Sequence, residues 1–196
     1  MNRTRALLSI FSPLVLGLLT VLIIGSLLSP VMADDKGKDE NPEEEIDYLA
    51  LAARLVRDGH FDRAASALAQ VDENDEEVDK ERLYILRGLV AMNSKLYAEA
   101  ASSFQKAIEA GARDPVVYIS LAQAEFGIKN YRGVISAVNR AGPEARKDSR
   151  AELLLSRAHW ELDEPGPALK VLARAGKRFP DIIDFPRNEM FYLVKL

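Results

Sequence analysis

The sequence predicts an all-α protein made of stacked helical hairpins. Three observations carry this expectation: apolar residues fall at helical spacing in paired runs, the pairs recur at a fixed period, and small residues stand where paired helices must touch. The clearest pair lies in residues 81–112, where apolar runs over 83–92 and 97–110 are separated by the polar break Asn93-Ser94-Lys95. Gly88, Ala100 and Ala107 are the small residues of this pair, and Tyr84, Tyr97 and Phe104 are large enough to fill the gap around them. Two helices joined by a short turn follow directly.

The same device recurs along the chain. Aligned on the opening of the second helix, the copies read Gly59-His60-Phe61-Asp62-Arg63-Ala64, Lys95-Leu96-Tyr97-Ala98-Glu99-Ala100 and Lys129-Asn130-Tyr131-Arg132-Gly133-Val134, with a weaker fourth at Asp163-Glu164-Pro165-Gly166-Pro167-Ala168. Their spacing of about 34 to 36 residues is the period of stacked helix-turn-helix repeats. Tyr84, Gly88, Tyr97, Ala100, Phe104 and Ala107 stand in phase with Tyr48, Ala52, Phe61, Ala64 and Leu68 before them. Tyr118, Ala122, Tyr131, Val138 and Ala141 continue the pattern, followed by Leu155, Ala168, Leu172, Ala175 and Pro180. In these positions the chain resembles the tetratricopeptide repeat family. The resemblance implies a right-handed superhelical solenoid of about four repeats, closed here by a C-terminal helix. Arg87 departs from the pattern, which has leucine before the glycine, and Val134 replaces an alanine. Pro165 and Pro167 fall in a first helical turn, where proline is tolerated because the amide hydrogens have no intrahelical acceptor.

Four segments are expected: residues 1–33 as a signal peptide or membrane anchor, 34–41 as an acidic flexible linker, 42–182 as the repeat domain and 183–196 as a capping helix. Arg3 and Arg5 precede an apolar run over 6–28, the pattern of an export signal or of an anchor with its arginines in the cytoplasm. Val31-Met32-Ala33 before Asp34-Asp35 favours cleavage, whereas the length of the run would span a bilayer. The cleaved reading is preferred, because Pro13 and Gly25 shorten the working core; either reading puts the repeats outside the cytoplasm. A bacterial periplasm is the expected location.

Residues 34–47 hold too little apolar surface to offset their ordering entropy, at least up to Asn41. Pro42 with Glu43, Glu44 and Glu45 predicts a helix start, since proline and carboxylates suit a first turn. Acids at 72–77 alternate as calcium ligands would, but the loop lacks the glycine and spacing of a calcium site, so a solvated turn is the better reading. Ala110-Gly111-Ala112 then Asp114-Pro115 reads as one helix ending and the next beginning, and Gly142-Pro143 and Pro180-Asp181 read the same way. On the last segment, Met190, Leu193 and Val194 form a stripe expected to dock on the fourth repeat, leaving Phe191, Tyr192 and Leu196 outside.

Nothing in the sequence assembles catalytic chemistry. The chain has no cysteine and two histidines, His60 and His159, which lie about three periods apart. No glycine-rich phosphate loop occurs, so the expectation is a non-enzyme with no cofactor and no metal. A net charge of −4 in 196 residues offers no general attraction for nucleic acid.

Surface therefore has to carry the function. The resemblance implies a concave groove lined by the first helix of each hairpin, and carrying its offsets over places Arg82, Met92, Gln123, Phe126, Arg157 and Trp160 there. Ile85, Leu89, Ile119 and Leu153 fall at similar offsets but read equally well as inter-repeat core. The lysine and asparagine clamp of the family's chaperone-tail binders is missing, since Leu49, Ala53, Ile85 and Leu89 occupy those places. The groove is expected to take an apolar or amphipathic peptide or helix with some acidic character. The expected role is a protein-interaction scaffold of the cell envelope. The alternative is a structural subunit that self-associates through the apolar C-terminal helix, with the membrane reached through the N-terminal segment.

Overall fold

The structure is a computed structural model that describes residues 46–196. The expected leader (1–33) and acidic linker (34–41) lie outside the described residues. Glu43–Leu196 forms a compact unit, and its described part is helical without strands. None of these helices is long and apolar enough to cross a membrane.

Four hairpins follow in order: α1 (Tyr48–Arg57) with α2 (Phe61–Leu68), α3 (Lys80–Asn93) with α4 (Tyr97–Glu109), α5 (Pro115–Gly127) with α6 (Tyr131–Arg140), and α8 (Ser149–Glu161) with α9 (Pro165–Arg178). A single turn, α7 (Gly142–Ala145), intervenes before the fourth, and α10 (Asp184–Lys195) follows it. Each hairpin turn passes through one residue of positive φ: Gly59, Lys95, Lys129 and Asp163. A left-handed residue at this place ends the first helix and turns the chain, and its recurrence is the repeat period expressed in backbone geometry.

Close contact within a hairpin depends on the small residues. A Cβ added to Gly88 would lie 2.6 Å from Cε1 of Phe104, and Phe104 is 1% exposed, so the ring has nowhere to go. This contact joins α3 to α4 and anchors the central core, which runs from Ala91 through α4, α5 and α6 to Val171. A smaller core around Ala52, Leu55 and Leu68 belongs to the first hairpin, and another around Leu172 and Phe185 to the C-terminal end. Between α8 and α9 the polar link is Arg174 to Glu152 at 2.6 Å, with Glu152 only 2% exposed.

Three boundaries differ from the sequence reading. Helix α1 begins at Tyr48, later than the start expected near Pro42, and the Asp47 side chain caps it by accepting the Ala50 amide at 2.8 Å. Gly142-Pro143 opens only the single turn α7, whose fully buried Ala145 fills space beside the central core. The next long helix waits for Asp148, whose carboxylate accepts the Arg150 amide at 2.8 Å. Pro180-Asp181 likewise precedes a short connection, with α10 starting at Asp184.

Helix α10 docks through a face other than the expected one, although Phe191 and Leu196 stay outside as expected. Phe185 and Tyr192 are buried, whereas Met190, Leu193 and Val194 are exposed, Val194 to 78%. Phe185 packs with Phe179 at 5.7 Å between ring centroids, and Tyr192 stacks flat on Trp160 at 4.0 Å. Flat rings seven residues apart match these aromatic surfaces better than the aliphatic stripe does, so the aliphatics turn outward.

Candidate interaction surface

The face to consider is formed by the first helices of the hairpins, with α1 packed beside α3 and α5 beside α8. Asp79 caps α3 by accepting the Arg82 amide at 2.9 Å, which sets Arg82 in the first turn with its side chain exposed. Met92 lies ten residues on, about 15 Å along the helix axis. It is half-buried against the central core. Gln123 is half-buried one turn before Phe126 on α5. Ile119 is buried within the central core and takes no part in this surface, while Ile85 and Leu89 are partly buried against it.

Phe126 and Arg157 are brought together from neighbouring repeats. The Arg157 guanidinium stands 5.3 Å from the Phe126 ring centroid, a cation–π distance. Tyr131 meets the same Phe126 edge-on at 5.5 Å. Burial, the Glu161 carboxylate beside it and a hydrogen bond to that carboxylate raise the Tyr131 phenol above its usual range. Tyr192 lies within the influence of both Arg157 and Glu161, and burial is the largest cause of its own upward shift. Thus Phe126, Tyr131, Arg157, Glu161 and Tyr192 form one cluster across α5, α6, α8 and α10.

Sequence reasoning missed Tyr131, Glu161 and Tyr192. The available signal was the i, i+4 placement of Arg157 and Glu161 on α8, which puts opposite charges on one face. Trp160 belongs to the same end, but one ring face is covered by Tyr192. Arg82 and Met92 are not joined to the cluster by any described contact. Among the described residues no group of three or more His, Asp or Glu side chains could hold a metal ion. In the acidic loop, Asp72 and Asp75 instead accept the amides of Asn74 and Glu77, both at 2.9 Å.

No protein-family model and no curated protein matches the chain. Solved structures do match. YrrB, described as a TPR protein with an unusual peptide-binding site, is 21% identical at a TM-score of 0.68, over 80% of this chain and 79% of that one. A MamA fragment, 41-end from Desulfovibrio magneticus RS-1, is 22% identical at 0.65, over 76% of this chain and 82% of the other. PilF of Pseudomonas aeruginosa is 15% identical at 0.61, over 76% and 67% respectively. The chain has the fold of the tetratricopeptide repeat proteins, an all-α solenoid of helical hairpins.

Proposed function

We propose that the chain is a non-enzymatic interaction scaffold of the bacterial cell envelope that holds a partner peptide or helix against its first-helix face. The observation that carries this reading is the cluster at Phe126 and Arg157, an aromatic ring under an exposed guanidinium at the junction of two repeats. Aromatic and arginine side chains are the usual anchors of protein interfaces. Phe126 offers apolar contact and Arg157 an unburied cation, so the partner is an apolar or amphipathic segment carrying a carboxylate. The envelope location rests on the arginine-led apolar segment at residues 3–28, and the peptide chemistry draws support from the binding site named for YrrB.

The test is capture from envelope extracts by the full chain, with Phe126→Ala/Arg157→Ala as the control. Retention by the wild type and loss by the variant at equal helical content supports the groove. Equal capture by both refutes it. Trp160 is unsuited to this control because its substitution would also undo the packing of α10.

A second reading, self-association, is favoured by one observation. Met190, Phe191, Leu193, Val194 and Leu196 are all exposed on α10, and a helix apolar on two sides is a buried type of helix. Concentration-dependent mass that Val194→Asp abolishes would support it, and an unchanged monomer mass at high concentration would remove it.

A further inference from the structure

The junction of the first and second hairpins departs from the others in ways the groove does not use. α2 has eight residues where α4 has thirteen. With α2 ending at Leu68, the flank of α3 stays open, and a cleft of about 330 Å³ lies between α2, α3 and the start of α4. Ala65, Leu68, Ala69, Val90, Ala91 and Leu96 make its apolar wall. That volume is at the small end of the roughly 300–1,000 Å³ range of binding pockets, room for one or two bulky side chains.

Two cleft residues break the repeat pattern. Arg87 stands where the family pattern has leucine, and it reaches the Glu73 carboxylate of the acidic loop. A charge is tolerated there because the truncated α2 leaves the position beside open space. Leu96 stands where the other hairpins have His60, Asn130 and Glu164. Asn130 uses the place to cap α6 through the Gly133 amide at 3.2 Å, whereas Leu96, like His60 and Glu164, caps nothing, and it is 49% exposed. For an isolated hairpin this exchange is unfavourable, because it leaves apolar surface in water where the other hairpins place a polar side chain.

Acidic charge lies on one side of the cleft, along the loop before α3. The lining itself is balanced by Arg87 and Glu99, with Arg87 paired to Glu73, Lys95 exposed between Ser94 and Leu96, and Lys106 over the Tyr84 ring at 5.3 Å. Glu99 lines the cleft, and Asp72, Asp75, Glu76 and Glu77 are exposed on the loop that carries Glu73.

We infer that this cleft is a second docking site, separate from the first-helix face, for a partner segment that inserts one bulky aliphatic or aromatic side chain flanked by lysine or arginine. The inserted side chain covers Leu96 and the alanine wall. The flanking cations meet Glu99 and the loop carboxylates, which turn away an acidic partner. The inference stands on the α2–α4 junction alone and does not need the groove.

The test is fluorescence anisotropy with the protein as purified from the envelope, its buffer serving as the blank. The probe is a labelled peptide with one leucine between pairs of lysines, and its controls replace the leucine by serine or the lysines by glutamates. The leucine–lysine peptide is expected to bind about tenfold or more tighter than either control. Leu96→Asn, which installs the cap residue of α6, and Ala65→Trp, which fills the cleft, each weaken binding about fivefold or more with helicity retained, while Phe126→Ala leaves it unchanged. Equal affinity for the serine peptide overturns the inference, and so does wild-type binding by Leu96→Asn. Loss on Phe126→Ala would move the peptide to the other face and overturn it as well.

Discussion

Substituting Gly88 by alanine tests the packing of the solenoid most sharply, because two known effects oppose each other there. Alanine favours a helix interior over glycine by about 1 kcal/mol. Against this, the new methyl would sit 2.6 Å from Phe104 Cε1 and 2.8 Å from two further ring carbons. Ordinary contact needs about 3.5–4.0 Å, so the ring must retreat by roughly 1 Å inside a close-packed core. Overpacking of this kind costs about 1–3 kcal/mol, and with the ring fully enclosed the upper part of that range applies, leaving a net loss of about 1–2 kcal/mol after the helix gain. Gly176 in α9 is the control, since its Cβ would meet Phe185 at an ordinary 3.7 Å. Gly176→Ala should therefore be neutral or stabilising by up to about 1 kcal/mol. Urea unfolding of Glu43–Leu196 followed by circular dichroism measures both. Should Gly88→Ala prove as stable as Gly176→Ala, the close α3–α4 approach is not what holds the second repeat.

Three further outcomes are expected. Arg174→Ala leaves Glu152 buried without its partner and should cost about 2–3 kcal/mol, somewhat below a fully buried pair because the Arg174 side chain is 36% exposed; exchanging both for apolar residues of similar size should restore most of that loss in the same urea assay. Tyr192→Ala uncovers Trp160, the single tryptophan, so intrinsic fluorescence should shift to the red and stability fall by about 3 kcal/mol. Asp148 caps α8, and its hydrogen bond from the Arg150 side chain is the main cause that holds its carboxyl below the usual range. A lowered folded value means stability present above the unfolded value of about 4 and lost as pH falls through the folded one. Asp148→Asn should flatten that acid limb in urea midpoints measured across this window.

The parts of the fold that sequence revealed are those written into the period. The turns at Gly59, Lys95, Lys129 and Asp163 and the Gly88–Phe104 contact repeat a pattern visible in several copies. Gly142-Pro143 misled because it imitates the stop and start at residues 111–115 without an aspartate before its proline, and the capping carboxylate comes later, at Asp148. The face of α10 was illegible because both its sides are apolar, and only the flat surface of Trp160 decides between them. In the candidate site, Phe126 and Arg157 were visible as first-helix residues, but their meeting was not. Tyr131 and Tyr192 join them from α6 and α10, and Glu161 from the last turn of α8, and no pattern of apolar residues marks these three as partners of the pair.

Photo-crosslinking from the two sides of the solenoid tests the central claim most directly. A photoreactive residue is placed at Gln123 on the first-helix face, or at Arg132, exposed on α6, in the full chain within its native envelope fraction. The account predicts a discrete adduct from position 123 that disappears when Phe126 and Arg157 are replaced by alanine, with none from position 132. An adduct from 132 alone, or one from 123 that survives the double substitution, would contradict it.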